Sequence, residues 1–293
     1  MSVLPTLATA NRYEPWLKRF VIAMLFANML IQVALIAGDW NFGDINAYWL
    51  AADRLKHGEP LYLGSLDPDS YRVFRYAPWF AWLWVPLTYL PRTLVELGWA
   101  AILGAASVWL LVGLLRLRSA AAVAVALLMT PWLLSLVQVG NIQPLVVAAL
   151  AFGMSRRAGP LWIGVTASLK AVPGLFALVY VARREWRRVG YAVAATALFG
   201  APYLLYNLSG YQTDPGRSYS LYYYVSPAAW VAGAVLSTLA AAYLAWRRSP
   251  YVWVAASVAV MLAAPRTHVT YATYLLVGAL GATVNRRDGA SHG

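Results

Sequence analysis

Asp44 is the acidic residue whose position most strongly suggests chemistry. It opens an amphipathic stretch just after the first long apolar run of the chain, at residues 20–37. A carboxylate at the water-facing edge of a helical membrane protein can act as a general base that removes a proton from a hydroxyl group. The alternative is a structural role as the N-cap of the helix that begins there, because Asp is a favoured N-cap residue.

Polar side chains from distant parts of the sequence fall on the same predicted side of the membrane as Asp44. Charges at membrane depth are costly and usually mark a site or a pathway. We expect Lys170, with Pro173 close behind it disfavouring a plain helix, to bind a lipid phosphate as a point charge, and snorkelling to the interface is the alternative. The candidate set around Asp44 is Arg75, Tyr76, Asn141, Gln143, Lys170, Arg266 and His268.

The other members of this set have structural alternatives as well. We expect His268 to contact phosphate or polarise a leaving group, and a satisfied interfacial histidine is the alternative. Asn141 and Gln143 could cap a helix and bond between helices, and Arg75 and Tyr76 could be interfacial anchors. Four other acids are expected to be solvated loop residues: Asp39, Asp53, Asp67 and Asp69.

Several common catalytic signatures are missing from the sequence. It contains no phosphate-cradling Gly-Lys-Ser/Thr loop and no nucleophile elbow. With three histidines and no cysteine, a zinc site is not expected, and neither a metal nor a cofactor is predicted. An enzyme that works outside the cell without a nucleotide site needs an activated substrate that a lipid carries.

The composition indicates a membrane protein. Of 293 residues, 61% are hydrophobic and only 12% are charged, which a soluble domain could not bury. The 14 tryptophans and 19 tyrosines are typical of broad interfacial belts. The first apolar run has no cleavage pattern, so we expect it to be a retained helix.

The net charge of +12 follows from membrane topology rather than from a nucleic-acid partner. Basic pairs recur at the ends of apolar segments, and placing them in the cytoplasm assigns fifteen basic residues and three acids to that side. The other side then holds eight of each. This arrangement predicts a multi-pass protein of the cell membrane with both termini cytoplasmic and Asp44 extracytoplasmic.

We therefore expect an all-α polytopic membrane protein that forms one domain, residues 1–293. A long outer loop at 38–92 would hold two interfacial helices. The first, at 44–57, has an apolar stripe made of Ile45, Tyr48, Trp49, Ala52, Leu55 and Lys56. The second, at 77–90, is aromatic and too short to span, so it should lie in the outer headgroup layer.

About ten membrane-spanning helices are expected, with a second outer loop at 207–224. Residues 160–182 allow two interpretations. A single span would place four arginines outside, whereas two short helices broken near 170–173 keep them inside and line a water-filled cavity. We favour the broken form. The expected spans are 18–37, 93–115, 119–138, 142–154, two within 160–182, 189–206, 225–246, 250–264 and 269–284.

Six short blocks of the sequence, individually weak, occur together in a fairly specific order that covers most of residues 40–275. They are 42–49 (FGDINAYW), 58–62 (GEPLY), 74–78 (FRYAP), 139–143 (VGNIQ), 168–173 (SLKAVP) and 264–268 (APRTH).

In these blocks the chain resembles the family-87 glycosyltransferases, polyprenol-phosphate-mannose-dependent membrane enzymes of the GT-C superfamily. Three departures stand out: Ala77 replaces a frequent proline, the two amides around Ile142 are exchanged relative to the family pattern, and the late block at 264–268 has fewer polar residues. The chain is also shorter than most members.

The resemblance implies a GT-C-like bundle and an inverting hexosyltransferase that moves a sugar, mannose by analogy, from a polyprenyl phosphate to an acceptor hydroxyl. Asp44 would be the general base, and Lys170 with Arg266 or His268 would bind the donor phosphate. Arg75, Tyr76, Asn141 and Gln143 would line the substrate pocket. The implied partners are the lipid-linked donor, a glycan or glycolipid acceptor and membrane lipids.

Two alternatives remain at this point. A non-enzymatic lipid or solute transporter, such as a flippase, would also use broken helices and buried cations. An assembly subunit that kept the fold but lost the chemistry is compatible with the shortened chain.

Overall fold

A computed structural model describes residues 10–281 without 39, 65, 155, 215 and 217, and the regular secondary structure in this part is helical. No strand occurs within these residues. The helices are α1 Ala10–Ala37, α2 Gly43–Lys56, α3 Pro78–Trp84, α4 Arg92–Leu115, α5 Ala120–Val139, α6 Gln143–Met154, α7 Gly159–Leu169, α8 Leu178–Ala182, α9 Trp186–Gly200, α10 Leu221–Tyr224, α11 Pro227–Trp246 and α12 Val252–Ala263.

Among the described residues, four helices are long and apolar enough to cross a membrane, namely α4, α5, α11 and the part of α1 from Pro15 to Ala37. Five further apolar helices in the same described part of the chain have 10 to 17 residues, among them α6, α7, α12 and the segment Val269–Gly281. The protein is thus an all-helical membrane protein, but the expected count of about ten spans is not confirmed. The last residues of the predicted helix at 269–284 and the basic pair at 286–287 lie outside the described residues.

The break within residues 160–182 is confirmed, and the single-helix interpretation is wrong. α7 ends at Leu169, and Lys170 has the extended backbone angles φ −141° and ψ 115°. A 3₁₀ turn at Val172–Ala177 follows and leads into α8. The cause is local, because Pro173 has no N–H to continue a helix and its ring clashes with the preceding turn.

α2 forms as expected from its apolar stripe, with one correction at its C-terminal end. Ile45 and Tyr48 are buried, whereas Lys56 is exposed and lies over the ring of Tyr89. The buried cation of this helix is instead Arg54, whose guanidinium donates a hydrogen bond to the carbonyl of Leu61. That bond compensates the cost of burying the charge.

α3 is more than a surface helix, since one of its faces belongs to the protein core. Phe80 and Trp84 are buried and contact the ring of Tyr48 at centroid distances of 4.9 and 5.1 Å. Aromatic pairs of this geometry stabilise beyond the area they bury. Only the opposite face, with Trp82 and Leu83, is exposed. The aromatic cluster therefore holds α2 in a fixed position.

Gly140 makes the turn between α5 and α6 that brings the two helices against α2. Its φ is +75°, a conformation that residues with a side chain rarely adopt. A Cβ at this position would also overlap the side chain of Ile45 on α2. The carbonyl of Gly140 accepts a hydrogen bond from Trp99 Nε1 on α4 at 2.9 Å. The turn thus joins three helices next to Asp44.

Candidate active site

Asp44 lies in the first turn of α2 and is not its N-cap. The N-cap is Phe42, which has a left-handed backbone (φ 47°) and no capping side-chain bond. The backbone N–H of Phe42 donates to the carbonyl of Gln138 on α5 at 3.2 Å, and the side chain of Asn41 accepts from the N–H of Gly43 at 3.0 Å. The capping alternative for Asp44 is therefore wrong, and its carboxylate is left for another contact.

That contact is with Asn141, the residue that follows the Gly140 turn. Asn141 Nδ2 donates to Asp44 Oδ2 at 2.5 Å. Asn141 Oδ1 accepts from the backbone N–H of Gln143 at 2.9 Å, which caps α6. Because its oxygen serves the helix N-terminus, the amide group must present its N–H₂ to the carboxylate. Asn141 therefore combines the expected capping role with a place beside Asp44.

Lys170 comes to the same amides from the break after α7. Its Nζ donates to Gln143 Oε1 at 2.9 Å and to Asn141 Oδ1 at 3.4 Å. It also lies over the rings of Tyr76 and Tyr271, 5.8 and 5.3 Å from their centroids. Lys170 points into a polar cluster rather than along the protein surface, which disfavours simple snorkelling.

Two tyrosine hydroxyls close the site on the α2 side. Tyr48 donates to the hydroxyl of Tyr76 at 3.2 Å and accepts from the backbone N–H of Ile142 at 3.3 Å. Both tyrosines are buried. They fix α2 against the first residues of α6, so the geometry of Asp44 relative to Asn141 is set on two sides.

A second group of cations lies at the outer rim. Arg75 and Arg266 both donate to the carbonyl oxygen of Pro68, at 2.7 and 3.0 Å. Arg266 also pairs with Asp69 at 3.0 Å. Asp69 is an exposed loop acid, as expected, and it forms this ion pair in addition. Arg75 Nε is buried without a hydrogen-bond partner among the described residues.

His268 lies at the edge of this group and is exposed. Partial desolvation lowers the pKa of its imidazole, and the positive charges of Arg266 and Lys170 lower it further. It is therefore neutral at pH 7, since its ordinary pKa is already about 6.5. A neutral imidazole can donate or accept a hydrogen bond but adds little fixed charge.

Burial shifts the pKa values of the two charged groups at the centre, Asp44 and Lys170. Desolvation raises the pKa of the Asp44 carboxyl, while the bond from Asn141 and the charges of Lys170, Arg266 and Arg75 oppose that rise. Desolvation lowers the pKa of the Lys170 ammonium to about 8, with Asp44 opposing the change. A carboxylate with a raised pKa is a stronger base, and carboxyl groups shifted in this way are common at functional sites.

An almost wholly apolar cavity of about 500 Å³ lies among α4, α6 and α7. It begins at Ile142 and Leu169, which are the chain neighbours of Asn141 and Lys170. It continues between α6 and α7, where its walls include the aromatic side chains of Trp109, Phe152 and Trp162.

The structure thus brings the sequence-predicted set into one region, with Asp44, Asn141, Gln143, Lys170 and Tyr76 in the centre. The remaining three form the rim. Sequence reasoning missed Tyr48, Asp69 and Tyr271 as neighbours. Only Tyr48 had a signal, since it was placed on the apolar stripe of α2, and the other two contacts depend on packing between distant segments. The rim residues are Arg75, Arg266 and His268.

Comparison with known proteins gives one family match. Residues 74–213 match the model of glycosyltransferase family 87. The match includes Arg75, Asn141 and Lys170 but neither Asp44 nor the block at 264–268. No curated protein and no solved structure was found to match the chain. The match confirms the resemblance seen in the sequence, and the protein is a glycosyltransferase related to family 87.

Proposed function

We propose that the protein transfers a hexose, mannose by analogy with the family, from a polyprenyl phosphate to an acceptor hydroxyl at the extracytoplasmic face of the membrane. One observation carries the proposal. A carboxylate and an ammonium group, Asp44 and Lys170, bond to the same amide of Asn141, and the chain neighbours Ile142 and Leu169 line an apolar cavity. Such a site offers a carboxylate that can act as a base, a cation that can bind a phosphate, and an apolar space that can take a lipid tail.

In the reaction, Asp44 removes the proton of the acceptor hydroxyl while the hydroxyl oxygen attacks the anomeric carbon of the sugar. A new C–O bond forms as the bond from that carbon to the phosphate oxygen breaks. The leaving group changes from a phosphodiester to a phosphate monoester and takes the bonding electrons. A single displacement inverts the configuration of the sugar.

Negative charge grows on the departing phosphate, and the cations around it stabilise that charge. Lys170 is held by two amide oxygens rather than by a carboxylate, which leaves its charge available to an anion. Arg266 and Arg75 converge on one carbonyl, with a buried Nε of Arg75 that lacks a partner among the described residues. A phosphate oxygen would supply that partner. His268 would add a hydrogen bond from the rim.

The apolar cavity supports a lipid-borne donor. If the phosphate lies against Lys170, the polyprenyl tail can enter the cavity directly, since Leu169 lines its near end. The tail would then lie between α6 and α7, where the cavity walls are apolar and aromatic.

The direction of the helices supports an extracytoplasmic site. α5 starts next to the basic residues Arg116 and Arg118 and ends at the Gly140 turn. α6 then runs away from the site towards Arg156 and Arg157. The basic loops therefore lie at the ends of α5 and α6 opposite to Asp44, and positive loops favour the cytoplasm.

The test is transfer of a radiolabelled hexose from a synthetic polyprenyl-phosphate donor by the purified protein. The variant Asp44→Asn keeps the size and an oxygen acceptor but cannot take a proton, so we expect its rate to fall at least about 100-fold. Asp53→Asn, which changes a half-exposed acid on the same helix, is the matched control. Full activity of Asp44→Asn would remove Asp44 as the base.

The contrary outcome is that the wild-type protein transports a lipid across the bilayer of proteoliposomes without forming a glycosidic bond. That result would contradict the proposal and favour the transporter alternative. The inactive assembly subunit predicts neither activity.

A further inference from the structure

A second cavity, of about 680 Å³, lies beyond the rim of the site and has no role in the mechanism above. It is lined by Asp69, the segment around Gln212 and Asp214, and the side chains of Tyr222 and Tyr223. Unlike the cavity between α6 and α7, it combines carboxylate, amide and aromatic groups.

The ion pair between Asp69 and Arg266 forms the wall between this cavity and the cationic rim. Arg266 faces the rim through its bond to the carbonyl of Pro68, and Asp69 lines the cavity. Gly216 lies against the pair, because a Cβ at that position would overlap Asp69 Oδ1 and Arg266 Nη1. The two regions therefore touch, but their charges have opposite sign.

The polar groups of the cavity are held in place by the backbone. Gln212 Nε2 donates to the carbonyl of Leu66 at 3.1 Å, and Gln212 Oε1 accepts from the N–H of Asp214 at 3.2 Å. Asp214 Oδ1 in turn accepts from the N–H of Gly216 at 2.8 Å. Fixed carboxylates of this kind can accept hydrogen bonds from ligand hydroxyls without first ordering a loop.

The aromatic side chains that line this cavity are also held in place by packing. Tyr222 packs edge-on against Trp230, with ring centroids 5.8 Å apart, and Tyr223 packs edge-on against Tyr224 at 5.3 Å. Tyr223 remains 53% exposed, so a ring face is available to a ligand. A flat apolar face beside fixed hydrogen-bond acceptors matches the chemistry of a pyranose, which has C–H faces and hydroxyl edges.

We propose that this cavity binds a sugar residue of the acceptor, with hydroxyls on Asp214 and Asp69 and a ring face against Tyr223 or Tyr222. The inference rests on the proposed function, which requires an acceptor hydroxyl. The carboxylate of Asp214 disfavours a phosphate in this cavity, which favours the cationic side for the donor. The acceptor is accordingly a glycan or glycolipid rather than a simple lipid alcohol.

Sugar binding can be measured without the transfer reaction. Purified protein in detergent is mixed with methyl α-D-mannopyranoside, methyl α-D-glucopyranoside or a serine-containing peptide, and saturation-transfer NMR reports which probe binds. We expect signals for a glycoside with the wild-type protein, and their loss in Tyr223→Ala and in Asp214→Asn. The second variant keeps the oxygen that caps Gly216 but lacks the charge.

The matched controls are Tyr219→Ala, which removes an exposed tyrosine of the same segment outside the cavity, and Asp53→Asn. Both should bind glycosides as the wild type does. Absence of glycoside binding by the wild type, unchanged binding by both cavity variants, or binding of the peptide alone would each overturn the assignment to a sugar.

Measurement of the acceptor and donor KM values then tests whether this cavity serves the transfer reaction. With a glycoside acceptor that the protein uses, Tyr223→Ala should raise the acceptor KM roughly three- to tenfold, the loss expected for one aromatic contact, with a donor KM within about twofold. An unchanged acceptor KM contradicts the inference. If the wild type transfers no sugar from any polyprenyl donor, the proposed function fails, and the NMR binding result alone decides the cavity assignment.

Discussion

Asn141 donates a hydrogen bond to the carboxylate of Asp44 across 97 positions of the sequence. The opposite atom of the same amide caps α6 and also receives a bond from Lys170. A single side chain thus sets the separation between the Asp44 carboxylate and the Lys170 ammonium group. Its orientation is fixed because the helix N-terminus requires an acceptor.

Asn141 should therefore control the protonation of Asp44. The variant Asn141→Ala removes a hydrogen bond to the charged carboxylate, so the pKa of Asp44 should rise further above its ordinary value. We expect the acidic limb of the pH profile of kcat/KM to move to higher pH. Asn141→Asp keeps the capping oxygen but places a second carboxylate beside the first, and should move the limb further still. Asn46→Ala, an amide change elsewhere on α2, should leave it in place.

The wild-type profile should be bell-shaped. Asp44 must be ionised, so activity is lost as the pH falls through its raised pKa, and Lys170 must be protonated, so activity is lost as the pH rises through about 8. In Lys170→Arg the alkaline loss should disappear up to about pH 10, because the guanidinium keeps its charge. Lys56→Arg is the control and should keep the alkaline loss of activity. If Lys170→Arg also keeps it, Lys170 is not the group whose deprotonation causes that loss.

Removal of the charge at Lys170 should reduce catalysis. Lys170→Met keeps much of the apolar stem, and we expect kcat to fall about 100- to 1,000-fold, as it does when one group that stabilises a developing oxyanion is lost. Single-turnover measurement of sugar transfer checks the chemical step. A rise in the donor KM with unchanged kcat would show instead that Lys170 serves binding alone.

Gly140 should be required for the site to assemble. In Gly140→Ala, a side chain must adopt a φ of +75° and displace Ile45, so we expect a loss of roughly 1–3 kcal/mol of stability. The thermal midpoint in detergent and the transfer rate should both fall. Gly98→Ala, at a position of α4 with open space around it, should be neutral or stabilising by up to about 1 kcal/mol. Equal midpoints for the two variants would contradict the role of the turn.

Filling the apolar cavity should change the preference for donor length. With Ala149→Phe, we expect the KM to rise roughly tenfold for a donor with a tail of about 50 carbons, and much less for a ten-carbon donor, because only the long tail must enter the cavity. Ala240→Phe on the exposed face of α11 is the control. An equal effect on both donors would place the tail elsewhere.

The sequence by itself determined the kind of protein and much of its helical order. Apolar runs and basic ends predict membrane helices, because hydropathy and charge act locally along the chain. Pro173 predicted the break beside Lys170 for the same reason, and the start of α2 placed Asp44 in a first helical turn. The short ordered blocks led to the glycosyltransferase family that the match at residues 74–213 confirms.

Only the tertiary structure decided how the site residues meet. The role of Asn141, the contact of Lys170 with Tyr271 and the pairing of Asp69 with Arg266 each join segments that lie far apart in the chain. Such contacts follow from the packing of whole helices and from which polar groups remain to be satisfied once they pack, and no local pattern encodes either. For that reason the sequence identified Asp69 as a loop acid but did not predict its ion pair with Arg266.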